Sequence, residues 1–177
     1  MKRALCVLEN GFEEIEVVTT VDLLRRAGVE VVIAGVSGMD VVGKCVMRLR
    51  ADALLEDAAE GDFDALFLPG GPAVKALRAN EQVIALIRRF HSEAKLIAAI
   101  CAAPLLLKKA GLIDGKRFTA HFSTKEELPE STGERVVSDG ELLTSRGAGT
   151  ALEFGLAFVE ILVGKAVSEK VSADVMA

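Results

Sequence analysis

Lys95-Leu96-Ile97-Ala98-Ala99-Ile100-Cys101-Ala102-Ala103-Pro104 reads as a buried strand that runs straight into a helix. The mostly apolar run Lys95 to Ile100 has the length of one strand. The small pair Ala102-Ala103 followed by Pro104 then starts a helix, because proline is tolerated in a helix's first turn. Cys101 therefore sits on the turn. A side chain there leaves the top of the sheet and faces the free N–H groups and positive end of the next helix, which favour an anion. A thiol so placed is expected to lose its proton more easily than a free one, and the thiolate is the nucleophilic form. A second reading, Cys101 as one more small buried hydrophobe, is also open from this segment.

The same alternation recurs outward from this stretch. Arg3 to Leu8 is a buried strand ended by Asn10-Gly11, and a helix follows from about Glu13 to Ala27, with Glu13 and Glu14 in its first turn and Gly28 at its stop. Val29 to Gly35 is strand again, so the chain opens β-α-β, which implies parallel strands and a right-handed crossover. Val36 to Asp57 alternates Cys45, Met47, Leu49 and Ala51 against Val46, Arg48 and Arg50, the pattern of a hairpin or edge strand rather than a helix. Asp64 to Leu68 is a core strand stopped by Pro69-Gly70-Gly71-Pro72, and Glu81 to His91 is an amphipathic helix. After Lys109 the expectations are a loop at 111–115, a short strand from Arg117 to Ala120 and one helical turn from Thr124 to Leu128. A hairpin of Arg135 to Val137 with Leu142 to Thr144 around Asp139-Gly140 comes next, then a long helix from Ala151 to Val163 and a tail helix from about Val167. The pattern predicts one domain over residues 1–177, a flavodoxin-like three-layer α/β/α sandwich with a mostly parallel central sheet.

Composition narrows the function classes. Of 177 residues 51% are hydrophobic, enough for one well-buried core. With 21 basic against 26 acidic residues the formal charge is −5, and the basic clusters are short and free of interleaved aromatics, so nucleic-acid binding has no electrostatic support. Three cysteines without paired spacing argue for a reducing, cytoplasmic setting rather than a disulfide framework. Glu9 interrupts the first apolar run too soon for a signal-peptide core, and the longest such run, Leu96 to Leu107, is too short to span a bilayer.

In open α/β sheets ligands bind outside the carboxyl ends of the strands. Four features fall there: Gly11 to Glu16, Gly70-Gly71, Cys101, and Gly147 to Thr150. Gly70-Gly71 lets backbone N–H groups approach a substrate, as an oxyanion site requires, although a tight turn explains the same glycines. Helical spacing aligns Glu16 with Thr19, Thr20 and Leu23, a face of reduced polarity on which a half-buried carboxyl would keep its proton and could donate it. From the residues alone an ordinary surface acid is the simpler reading. His121 follows a short strand and can approach the site. His91-Ser92-Glu93 precedes the cysteine and reads as a solvated face, and Cys6, Cys45, Cys101, His91 and His121 lack metal-ligand spacing.

Gly-Phe-Glu-Glu-Ile-Glu at 11–16, Leu-Pro-Gly-Gly at 68–71, Ala-Ala-Ile-Cys-Ala-Ala-Pro at 98–104 and Leu-Thr-Ser-Arg-Gly-Ala-Gly-Thr at 143–150 together resemble the ThiJ/PfpI superfamily, in particular its Parkinsonism-associated deglycase and bacterial ThiJ-like branch. The likeness spans nearly the whole chain. It implies a class I glutamine amidotransferase-like fold, a homodimer, Cys101 as nucleophile, Glu16 as partner acid, His121 nearby, and Gly70, Gly71 and Ala102 as backbone donors, with no cofactor or metal. The implied activities are conversion of methylglyoxal or glyoxal to a hydroxy acid, repair of glycated adducts, and redox-responsive chaperone or sensor behaviour through Cys101 oxidation. Three departures stand out. Ala102 replaces the histidine that follows the cysteine in the peptidase branch, which removes support for a Cys-His peptidase. Ala148 stands where the deglycase branch has proline, and the chain ends soon after its expected tail helix. Roles for Cys45, Arg25, Arg26 and Arg48, at the site or toward a partner subunit, are left open.

Overall fold

A computed structural model describes residues 1–177. Strands β1 (Arg3–Leu8), β2 (Glu30–Gly35), β6 (Ala65–Leu68) and β7 (Leu96–Ile100) form where the apolar runs predict them, because a strand covered on both faces needs no polar alternation. Short strands complete the set: β3 (Asp40–Val42), β4 (Arg48–Arg50), β5 (Ala53–Leu54), β8 (Val136–Asp139) and β9 (Leu142–Ser145). The main sheet runs β5-β2-β1-β6-β7-β9-β8, parallel throughout except for β8 against β9, and β3 and β4 make a separate antiparallel hairpin. The inner order β2-β1-β6-β7-β9 is the flavodoxin-like order, with its reversal between β1 and β6.

Helices α1 (Glu14–Arg26), α2 (Leu55–Ala58), α3 (Ala73–Ala79), α4 (Glu81–Ser92), α5 (Pro104–Ala110), α6 (Ala151–Val163) and α7 (Lys165–Asp174) cover the sheet. On one face α1 packs against α6, where a Cβ added to Gly155 would come within 2.5 Å of Leu23 Cδ1 and force that buried side chain to shift. Under them Phe67, Phe154 and Phe158 join in a triangle with ring centroids 5.9 to 6.3 Å apart. All the buried apolar side chains except Val137 form one continuous cluster. No helix is long and apolar enough to cross a membrane.

The structure corrects several local expectations. Arg117 to Ala120 is not a strand: its amides are taken by side chains, Arg117 N–H by Asp139 Oδ2 at 2.8 Å, Thr119 N–H by Thr144 Oγ1 at 3.0 Å and Ala120 N–H by Ser131 Oγ at 2.9 Å, so no ladder forms. The helical turn expected at 124–128 is instead a 3₁₀ turn at Phe122–Thr124. The segment 36–57 holds the anticipated hairpin but also α2, and Cys45 lies in the turn between β3 and β4 rather than on a strand. Helix α3 was unforeseen, although Ala73, Val74 and Leu77, its buried residues, carry the helical spacing.

Candidate active site

Strand β7 delivers Cys101 to the top of the sheet. Its N–H donates to the Ser145 carbonyl and its own carbonyl accepts from the His121 N–H, both at 2.8 Å, so the neighbouring strand end and the 121 loop pin the turn. These bonds hold Cys101 at φ +65°, a left-handed conformation that costs a non-glycine residue about 1–3 kcal/mol. A strained backbone at a strand-to-helix turn is the geometry that presents a nucleophile. The N–H groups of Gly71 and Ala102 are directed at the sulfur, and Cys101 as a residue is half-buried.

Glu16 reaches the same point from α1. It is fully buried, which sets aside the surface-acid reading, and its Oε2 accepts from Gly70 N–H at 2.8 Å. The other oxygen, Oε1, bonds to no nitrogen or oxygen, and the Cys101 thiol lies within hydrogen-bonding reach of the carboxyl. Burial pushes the Glu16 carboxyl up to about 7, against the opposing pull of the Gly70 and Cys101 hydrogen bonds. Burial and then the Glu16 charge push the Cys101 thiol up to about 12, against the Gly71 and Ala102 amides. The expectation that the helix start alone would hold an anionic sulfur is thereby corrected.

The two groups titrate as a pair. Once the first proton is lost, the pair holds one proton that either group can carry. That one-proton state has two tautomers. Thiol with carboxylate is favoured by the Gly70 amide, and thiolate with carboxylic acid by the Gly71 and Ala102 amides. In the second the neutral carboxyl no longer repels the sulfur and can donate to it.

Closeness at this point depends on glycine. A Cβ at Gly70 would sit 2.5 Å from Cys101 Cβ and 2.9 Å from Glu16 Oε2. Gly70→Ala is therefore expected to destabilise the fold by about 1–3 kcal/mol and to slow alkylation of Cys101 by iodoacetamide. Unchanged melting temperature and alkylation rate would show that the site is looser than its geometry. Gly70 is thus committed to Glu16, whereas Gly71 and Ala102 face the sulfur.

His121 is tied to Cys101 through the backbone only. Its imidazole bonds to Ser123, Nδ1 accepting from the Ser123 N–H at 3.2 Å and meeting Ser123 Oγ at 2.8 Å, and makes no side-chain hydrogen bond to Cys101 or Glu16. Burial lowers its pKa, so the neutral ring carries its proton on Nε2 and is a donor. Sequence reasoning missed Lys44, whose Nζ lies 3.0 Å from Glu13 Oε2 and whose charge is felt at Cys101, Glu16 and His121. Nothing local marks it, since the β3–β4 turn brings it over the site.

The remaining candidates fall elsewhere. Arg25 pairs with Asp52 and Arg26 with Asp22, both at the surface, and Arg48 is exposed on β4. Ligand atoms of Glu13, Glu14 and Cys45 lie within 4.8 Å of one another, but Glu14 Oε1 accepts from the Cys45 and Met47 amides and Glu13 Oε2 from Lys44, bonds that account for the grouping. Cys6 is sealed in β1, and His91 Nδ1 lies 2.6 Å from Glu141 Oε1 at the surface.

Known proteins resemble this chain in sequence and fold. The sequence profile described as the DJ-1/PfpI family matches residues 2–161. Protein dj-1beta of Drosophila melanogaster is 40% identical over 182 residues, covering 99% of this chain and 97% of that protein. The Parkinson disease protein 7 homolog of Danio rerio is 38% identical, with coverage of 99% and 97%. A Caenorhabditis elegans protein named glutathione-independent glyoxalase DJR-1.2 is 37% identical, with coverage of 92% and 90%. Among solved structures, Drosophila melanogaster DJ-1beta superposes with a TM-score of 0.96 at 39% identity, covering 99% of this chain and 98% of that one. An oxidized Toxoplasma gondii DJ-1 superposes with 0.95 at 31% identity, with the same coverage. A profile matched over nearly the full length, relatives close to 40% identical and a flavodoxin-like sheet with a cysteine at its turn agree: the chain belongs to the DJ-1/PfpI family.

Proposed function

We propose that the protein is a cysteine-dependent enzyme acting on reactive carbonyls without a cofactor, converting methylglyoxal or glyoxal to the hydroxy acid or removing early glycation adducts. The observation that carries this reading is the fully buried Glu16 carboxyl, pushed up to about 7, against the Cys101 sulfur. The Cys101 thiolate adds to the aldehyde carbon of methylglyoxal, and the oxygen takes a proton to give a hemithioacetal. Glu16 then removes the proton from that carbon and returns it to the adjacent one, leaving a thioester of lactate. Water hydrolyses the thioester and frees the sulfur. The amides of Gly71 and Ala102 stabilise developing oxyanions, and His121 Nε2–H assists the hydrolysis as a donor. A worm relative named as a glyoxalase supports the reaction class. Purified protein with methylglyoxal and no added cofactor is expected to form lactate, and its absence would overturn the assignment.

The same carboxyl favours a second reading, in which Cys101 is a redox sensor. A neutral Glu16, with Oε1 free, can donate to a sulfinate and halt oxidation there. The oxidized Toxoplasma gondii neighbour is in keeping with it.

A reducing cytoplasmic setting suits a working thiolate. We also propose a homodimer. Ile15 and Val18 on α1, with Val46 and Met47 in the β3–β4 turn, are exposed, and Glu14 ties that turn to the start of α1. Val18→Glu is expected to shift sedimentation from dimer to monomer, and an unchanged profile would place the interface elsewhere.

A further inference from the structure

A cavity of about 690 Å³ adjoins the nucleophile without containing it. The shared wall is His121, whose N–H is bonded to the Cys101 carbonyl and whose ring edge would lie 3.4 Å from a Cβ at Gly147. The cavity has room for about twenty water molecules at ~30 Å³ each, so a three-carbon aldehyde on Cys101 would leave it almost empty. Its lining has a distinct chemistry. Phe122 is 83% exposed and lies tilted at 36° against His121 with ring centroids 4.1 Å apart, leaving an open face for a flat group, and Leu128 and Pro129 supply further apolar wall. Lys125, Arg135 and Arg146 also line it, and none of the lining residues is Asp or Glu. In a chain of net charge −5 that is a local reversal of sign. Glu153 engages Arg135 at 2.7 Å, but Arg146 donates only to the Gly133 carbonyl, at 3.1 Å, and Lys125 forms no ion pair. Lys125 is therefore free to meet an anion, and Arg146, which feels Glu153 without a hydrogen bond to it, keeps guanidinium N–H groups to offer one.

We infer that this cavity receives the far end of the substrate, so that the favoured substrates are carbonyl compounds with a flat or apolar body ending in a carboxylate. This rests on the reading of Cys101 as a carbonyl nucleophile. The carbonyl meets the sulfur and the amides of Gly71 and Ala102, the body passes His121 to lie on Phe122, and the carboxylate is held by Arg146 and Lys125. The positive rim also raises the local concentration of anionic substrate, an effect that salt weakens.

Phenylglyoxal and 4-carboxyphenylglyoxal, compared by initial rates before the aldehydes modify arginine side chains, test this. The wild type is expected to prefer the carboxylated compound by about tenfold in kcat/KM at low salt, less at high salt. The ratio should fall to near one in the double variant Arg146→Gln/Lys125→Gln, and because it is taken within each protein a general loss of activity cancels. A ratio near one in the wild type, or a tenfold ratio kept by the variant, overturns the inference while methylglyoxal turnover stands. If no aldehyde is turned over, the carbonyl chemistry itself fails. The cavity is then judged by calorimetry of Cys101→Ser protein with the unreactive 4-acetylbenzoate against acetophenone. Preferential binding of the carboxylate that Arg146→Gln/Lys125→Gln abolishes supports an acid-binding cavity, and equal or absent binding overturns it.

Discussion

Cys101→Ser is expected to abolish lactate formation from methylglyoxal, a loss of about 10⁴-fold or more, while the protein remains folded. The substitution exchanges sulfur for oxygen and keeps the backbone bonds to Ser145 and His121 that pin the turn. A serine hydroxyl at this position has no base able to ionise it: Glu16 at about 7 is far too weak an acid–base partner for an alcohol, and His121 Nδ1 is occupied by Ser123. Full turnover by the serine variant would end the enzymatic reading. The same protein separates the sensor reading. Mild peroxide should add oxygen to the wild type at Cys101 and leave the variant's mass unchanged, and oxidation of exposed Cys45 ahead of Cys101 would sink that reading.

Glu16→Gln should lower kcat for methylglyoxal by about 10²–10⁴-fold, since an amide cannot carry a proton between two carbons. It should also make the protein more stable in alkali relative to wild type. The folded carboxyl is raised to about 7 from an ordinary 4.5, so between those values the folded state holds more protons than the unfolded one and stability falls as pH rises. Above the upper value the buried charge costs up to about 3 kcal/mol, at ~1.4 kcal/mol per tenfold change. Glutamine, which keeps an acceptor for Gly70 N–H, escapes this. Its melting temperature should therefore exceed the wild type's at pH 8 by more than at pH 5. Removing the charge beside the sulfur should also lower the thiol's pKa from about 12, seen as faster alkylation at pH 8 to 9. A variant with an easier thiolate but almost no turnover would isolate the proton relay. Undiminished kcat, or a stability difference independent of pH, would refute the role given to Glu16.

Much of this was legible in the residues, and the exceptions share a cause. The runs 3–8, 64–68 and 95–100 are apolar enough to be covered on both faces, so their burial is written locally, and Asn10-Gly11, Pro69-Gly70-Gly71-Pro72 and Cys101-Ala102-Ala103-Pro104 mark where each ends. Arg117 to Ala120 failed as a strand because its acceptors are the side chains of Asp139, Thr144 and Ser131. Glu16 looked like a surface acid because a polar residue in a helix's first turns is usually solvated, and only the approach of Gly70 and Cys101 encloses it.

The sequence by itself determined the main strands, their parallel sense and the placing of the segments 11–16, 70–71 and Cys101 at the strand ends, since these follow from apolar runs and turn residues. Only the tertiary structure decided where the protons sit, how far Lys44 reaches and that a basic cavity lies behind His121. Those properties depend on the distance and burial of groups far apart in the chain, and Coulomb energy and desolvation respond to separation in space rather than in sequence.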